Sequence, residues 1–278
     1  MPRSPLRTAS WTTAVLLTAL ALGVFMRLRH RIFTPQPIAL PAAPMASEPN
    51  LMLWAWETPE DLITLDPSKA GVAFLSREIL LSSNDPAKIQ IRPRLQPLHT
   101  APGTWLMADV RIETSSNFSA TEASPQLIAE ISQSIVAGAR SPAVRALQVD
   151  FDATASQRSF YAKLLKQVRA DLRPEVPLSI TALVSWCSQP SWLAQLPANT
   201  VDEAVPMFFR MGGPAVSRAN APKLDTVTLP LCATSMGLAT DETWPAVTAV
   251  QRVYLFRSGP WSSTDIAKLN ANGYQGLR

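Results

Sequence analysis

Arg145-Ala-Leu-Gln-Val-Asp-Phe-Asp-Ala-Thr154, followed by a helical pattern and then by Pro177-Leu-Ser-Ile-Thr-Ala-Leu-Val-Ser-Trp-Cys187, decides the fold. Leu147, Val149 and Phe151 alternate with Gln148, Asp150 and Asp152, so a period of two sets an apolar face against a polar one. Between the two segments, Phe160, Tyr161, Leu164, Leu165 and Val168 fall on one side of a helix and Lys163, Lys166 and Arg169 on the other. Strand, amphipathic helix and strand in succession imply a parallel pair with a right-handed crossover. A polar strand face in such a unit suits a barrel whose interior ends in a site.

Working outward, eight segments read as strands: 51–57, 72–81, 105–113, 146–152, 178–187, 203–211, 229–235 and 252–257. Helical patterns follow several of them, at 124–139, 155–172, 189–196, 243–249 and 262–271. Ser124-Pro125 ahead of Leu127, Ile128, Ile131 and Ile135 is a cap with proline in the first turn. Eight strands in one body predict an α/β fold closed into a (β/α)8 barrel, with an open, doubly wound sheet as the alternative. Ile89-Gln-Ile-Arg-Pro-Arg-Leu95 alternates like a strand where an early helix is due, so a hairpin replaces that helix, and Pro93 confines it to an edge.

The 278 residues carry a net charge of +4, but Arg3, Arg7, Arg27, Arg29 and Arg31 all lie in an acid-free stretch before Thr34. Without those five, 20 basic residues face 21 acidic ones, and no basic footprint for nucleic acid remains. The stretch 1–33 holds sixteen mostly apolar residues from Trp11 to Met26, flanked by arginines. It reads as a membrane anchor or a signal segment, a little short of the ~20 residues that span a bilayer. Pro35, Pro37, Pro41, Pro44 and Pro49 make 34–50 a semi-rigid linker, and residues 51–278 form the barrel domain. This organisation predicts a protein that is membrane-anchored or exported; its oligomeric state is left open.

Cys187 and Cys232 each fall near the end of a predicted strand, with a third strand between. Strand spacing separates them by about 9–10 Å, beyond the ~7 Å reach of a disulfide, so free thiols are expected unless loops bring the two together.

Strand ends converge on one face of a barrel, which makes their polar residues the candidate site. Asp109, Arg111 and Glu113 share a face on the third strand, beside Gln148, Asp150 and Asp152 on the fourth. A carboxyl group that keeps its proton near other carboxylates, paired with one that stays ionised, performs glycoside hydrolysis. The candidate catalytic residues are therefore Asp150, Asp152, Glu113 and Glu57. Trp54, Trp56, Trp186 and Trp261, with Arg111 and Arg210, are candidates for holding a carbohydrate ligand, since all lie near predicted strand ends. The competing reading makes the same carboxylates and Arg111 an ionic layer that only stabilises the barrel. With His30 and His99 the sole histidines and no glycine-rich phosphate loop, no metal, cofactor or serine-type triad is expected.

The Trp54-Ala-Trp56 opening, the Val149-Asp-Phe-Asp152 strand, the helix with Tyr161 and Leu164-Leu165 and the Leu178-Ser-Ile-Thr-Ala-Leu183 strand resemble an uncharacterised bacterial family, domain of unknown function 3142. A more distant likeness is to family 18, chitinase-like glycoside hydrolase barrels. Their fourth strand carries Asp-x-x-Asp-x-Asp-x-Glu, with the glutamate as acid. Asp150 and Asp152 match the two later aspartates, but Leu147 stands at the first and Thr154 at the glutamate. The two resemblances thus imply a sugar-hydrolase-like barrel without its usual proton donor, in a bacterial cell envelope, membrane-anchored or exported to the periplasm. Either another carboxylate acts in its place or the barrel binds a glycan, or serves as a scaffold, without cleaving.

Overall fold

The computed structural model describes residues 45, 47–188, 190–209, 227–245 and 250–277. Its strands are β1 (Leu51–Ala55), β2 (Glu60–Leu62), β3 (Gly71–Leu81), β4 (Ile89–Pro93), β5 (Leu98–Thr100), β6 (Leu106–Thr114), β7 (Val144–Asp150), β8 (Leu178–Leu183), β9 (Glu203–Met207), β10 (Ser235–Ala239) and β11 (Arg252–Phe256). β1 pairs in parallel with both β3 and β11, and β3, β6, β7, β8, β9, β10 and β11 follow one another unbroken. Eight parallel strands therefore close on themselves, which removes the free edges of an open sheet. The predicted hairpin is also present. β4 lies antiparallel on β3, while β2 and β5 form a separate two-stranded ladder.

The strand period sorts side chains into two cores. Met52, Trp54, Ala73, Met107, Ala146, Val205, Met207 and Tyr254 pack together inside the barrel. Leu147, Val149, Ile180 and Ala204 face outward, where helix α1 (Pro125–Val136) and helix α2 (Arg158–Asp171) cover them. Ser124 caps α1 by accepting from the Leu127 amide, and Leu127, Ile128, Ile131 and Ile135 form its buried stripe. Full burial of each such side chain stabilises by about 1.5–3 kcal/mol. Helix α3 (Ser263–Asn272) closes the far side with Ile266 and Leu269. Trp54 fits inside because β10 offers Gly237, where a Cβ would lie 2.8 Å from the indole.

One irregularity sets up the mouth. Leu75 of β3 aligns with Asp109 of β6, and an unbroken register would next align Arg77 with Arg111. A bulge between Leu75 and Arg77 shifts the pairing, so Glu78 stands beside Arg111 instead. Arg77, a predicted strand-end residue, consequently turns outward and donates to the Ser134 carbonyl of α1.

Several predicted elements differ. Residues 184–187, expected to finish a strand, wind into a 3-10 turn (Val184–Cys187) after β8. The segment 229–235 is a 3-10 turn at Pro230–Cys232, where proline lacks the amide a central strand needs, and the strand begins at Ser235. Of the helix expected over 189–196, one turn forms at Leu193–Gln195, between Pro190 and Pro197; Gln189 lies outside the described residues. Residues 243–245 are not helical, and 246–249 of that expected helix also fall outside.

Those two 3-10 turns explain a further correction, because Cys187 and Cys232 are joined by a disulfide with Cα atoms 5.8 Å apart. Sheet spacing does not separate them, since neither sits on a strand. The bond links the turn after β8 to the turn before β10, 45 residues apart in sequence, a closure that stabilises by about 2–4 kcal/mol.

The folded body also begins earlier than Leu51. Glu48 is buried, and the carbonyls of Met45, Glu48 and Pro49 accept from Arg252 at the start of β11. Among the described residues no helix is long and apolar enough to cross a membrane, and the apolar run 11–26 lies outside them.

Candidate functional site at the barrel mouth

Adjacent strands bring the two predicted polar rows together at the C-terminal end of the barrel. Asp109 pairs in register with Gln148, and Arg111 with Asp150. Arg111 organises the group. Its Nε donates to Glu113 Oε1 at 3.0 Å, its NH1 lies 3.8 Å from Asp150 Oδ2, and its guanidinium sits 5.7 Å from the centroid of the Trp56 ring. Asp150 is buried and also accepts from Thr181 Oγ1 of β8 at 2.6 Å.

Burial pushes the Asp150 carboxyl up, against the pull of Thr181 and Arg111. Asp152, just past the end of β7, reaches solvent at the rim, yet partial burial and then the Asp150 charge raise it to about 6, with Arg111 opposing. Glu78 is raised by burial, by Glu57 and by Glu113. Such displaced carboxyl groups at one end of a barrel mark a candidate for proton-transfer chemistry. Asp152 exchanges its proton near neutrality, while the Glu113 carboxylate is held by a permanent cation.

Beside the mouth, Arg94 fixes the loop after β4 over the end of β1, donating to the carbonyls of Ala55, Trp56 and Thr58. A cleft of about 270 Å³ results, lined by Glu57, Leu75, Glu78, Arg92 and Arg94 with Leu95 at its lip. Glu57 is exposed there, so it joins the acidic rim without entering the barrel.

The expected aromatic rim does not form. Trp56 is half-buried at the mouth, but Trp54 lies inside the barrel with its indole N–H donating to Gln148 at 2.8 Å. Trp186 is buried outside the barrel against Tyr161 and Trp192, because its chain has left β8 for the 3-10 turn. Trp261 is buried as well, donating to the Trp54 carbonyl. Arg210 lies outside the described residues. Thr154 is an exposed cap whose amide donates to the Gln157 side chain.

Sequence reasoning passed over a second polar group at the opposite end. Glu203 opens β9, and its carboxylate accepts from Ser179 at 2.9 Å, Arg252 at 2.7 Å and Tyr254 at 2.7 Å, with Ser235 as a fourth donor. Tyr254 also lies 2.5 Å from Glu48. A phenol has one hydrogen, so it cannot satisfy two carboxylates. The arrangement closes when Glu48 keeps its proton and donates to Tyr254, which donates to Glu203. Burial and the Glu203 charge push Glu48 up to about 9, in keeping with that assignment. The alternation of Arg252, Tyr254 and Phe256 was the available signal for an inward polar row.

A raised carboxyl contributes stability that is whole below its ordinary value of 4.5 and is lost as pH rises through about 9. Thermal midpoints are therefore expected to fall steadily across that window. Glu48→Gln, which preserves a neutral hydrogen-bonding group, should flatten the decline; an unchanged slope would show that Glu48 is not a buried acid.

Fold and site together define a closed (β/α)8 barrel with a carboxylate-rich mouth organised by one arginine. Residues 103–217 match the model of a family described as Domain of unknown function (DUF3142), a span that holds β6 to β9 and the Asp109, Arg111, Glu113, Asp150 and Asp152 positions. No curated protein matches the chain. Similar solved structures include the spore cortex-lytic enzyme SleL of Bacillus cereus, with TM-score 0.46, 20% identity and coverage of 70% of this chain and 52% of that one. The chain thus spans about half the length of SleL. A putative chitinase A from Streptomyces coelicolor has TM-score 0.49 at 10% identity, covering 82% of this chain and 97% of its own. A family GH18 chitinase from Chromobacterium violaceum has 0.42 at 9%, covering 83% and 82%. The likeness is one of fold, and the barrel itself follows from the strand pairing.

Proposed function

We propose that this is an exported envelope protein whose barrel mouth hydrolyses a glycan, with Asp152 as proton donor and Glu113 as the ionised partner. Asp150 tunes Asp152 through its charge, Arg111 holds Glu113, and Trp56 offers one apolar surface to a sugar ring. The observation that carries this reading is the place of Asp152, exposed at the rim just past β7 beside buried Asp150 and the Arg111–Glu113 pair, surroundings that push its carboxyl up to about 6. That carboxyl supplies what Thr154 lacks. The Cys187–Cys232 disulfide favours an oxidising compartment, and the apolar run 11–26 followed by the proline-rich stretch suits an anchor or signal with a spacer.

One observation favours a second reading, binding without cleavage. Arg111 engages Glu113 and faces Asp150, which leaves the carboxylates partly neutralised. Incubation with a panel of cell-envelope glycans, followed by reducing-end release and by calorimetry, separates the two. Release supports hydrolysis. Binding with no release supports the second reading, and neither would remove the glycan assignment.

A further inference from the structure

Asp109 has no part in the chemistry above, yet it lies inside the barrel one inward position below Arg111 on β6. It is fully buried, and neither carboxyl oxygen has a hydrogen-bond partner. Its neighbours explain why. Leu75 flanks it on β3 and Gln148 on β7, and the Gln148 amide is already committed to Trp54 and to Ser179. Arg111, the next inward position on β6, is turned upward to Glu113 and Asp150. Asp150, the next inward position after Gln148, is engaged by Thr181. An ionised carboxylate buried without partners is among the costliest arrangements a protein can hold, and it takes up a proton instead.

We propose that Asp109 is a positioning residue: a neutral carboxylic acid beneath Asp150 that lets Asp150 carry the negative charge, which in turn keeps Asp152 protonated. The inference rests on Asp152 as the proton donor. Of two neighbouring carboxyl groups in a dry site, one ionises and the other does not. Asp150 has the Thr181 hydroxyl and the Arg111 guanidinium to support a charge, and Asp109 has neither. If the proton sat on Asp150, the charge nearest Asp152 would vanish.

The charged and titratable groups around Asp109 are Asp150 from β7, Arg111 from its own strand and the Tyr161 phenol from α2. Burial and then Asp150 push Asp109 well up, against Arg111, and burial with the Asp150 charge pushes the Tyr161 phenol up. No bond is made or broken, and one proton is held at Asp109.

The test uses the full chain with isotope-labelled aspartate. Infrared titration of the wild type should show a protonated carboxylic acid persisting above neutral pH, and Asp109→Asn should remove that band. Because the asparagine replaces one neutral group by another, carboxyl NMR should find the Asp152 titration unmoved in this variant. In Asp150→Asn it should fall by about one unit, the scale of a lost neighbouring charge. The proposal is overturned if the wild type shows no such acid, if the band survives in Asp109→Asn, or if that variant lowers the Asp152 titration as Asp150→Asn does. Should either variant fail to fold, the wild-type spectrum still decides whether the acid exists. None of these readouts needs activity, so an inactive chain with the Asp109 band would defeat the hydrolase reading alone.

Discussion

Asp152→Asn is expected to lower glycan cleavage by about 10²- to 10⁴-fold, the share usually supplied by a general acid. Thermal midpoint and glycan affinity should stay near wild type, because the side chain sits at the rim and the amide keeps its shape. The pH profile gives an independent check. Only the protonated carboxyl donates, so wild-type kcat/KM should fall as pH rises through about 6, and the variant should lose that limb. Asp150→Asn is a useful contrast, since removing the neighbouring charge moves the limb to lower pH and leaves the donor in place. Full activity in Asp152→Asn, or a limb near the ordinary carboxylate range, would take the acid role away from this residue.

The features legible in the sequence share a local cause. Gln148, Asp150 and Asp152 alternate with three apolar residues, so a period of two was enough to aim two of them into the barrel. Ser124-Pro125 marked the start of α1 for the same reason, since a cap is written in adjacent residues. The bulge in β3 was hidden because its purpose lies on β6. Nothing next to Arg77 tells that an unbroken register would set it against Arg111, or that the bulge puts Glu78 there instead. Trp186 and Cys187 leave their expected places together because β8 stops at Leu183, which removes a tryptophan from the rim and, with the separate turn at Pro230–Cys232, brings two cysteines within bonding distance. Glu48 lies among prolines typical of a spacer, while the residues that bury it, Arg252 and Tyr254, are about two hundred positions away. Charge partners that distant leave no trace in local composition.

That closed lower group carries the second large effect, on stability instead of chemistry. Glu203→Ala removes the carboxylate that accepts from Ser179, Ser235, Arg252 and Tyr254, leaving a nearly inaccessible guanidinium without its close partner. Breaking a buried pair in this way typically destabilises by about 3–5 kcal/mol. For a domain of this size that lowers the thermal midpoint by roughly 6–20 °C. Glu48 limits the damage, because it lies 3.4 Å from Arg252 and no longer faces a like charge once Glu203 is gone. It can then release its proton and take over as counter-ion. Glu203→Ala should accordingly become more harmful when combined with Glu48→Gln than the two single changes add up to, since the amide has no charge to offer. Urea titration of the four proteins measures that coupling. Strict additivity would mean that the two glutamates do not share Arg252. A loss under about 1 kcal/mol in Glu203→Ala would mean that solvent reaches the guanidinium when its partner is removed.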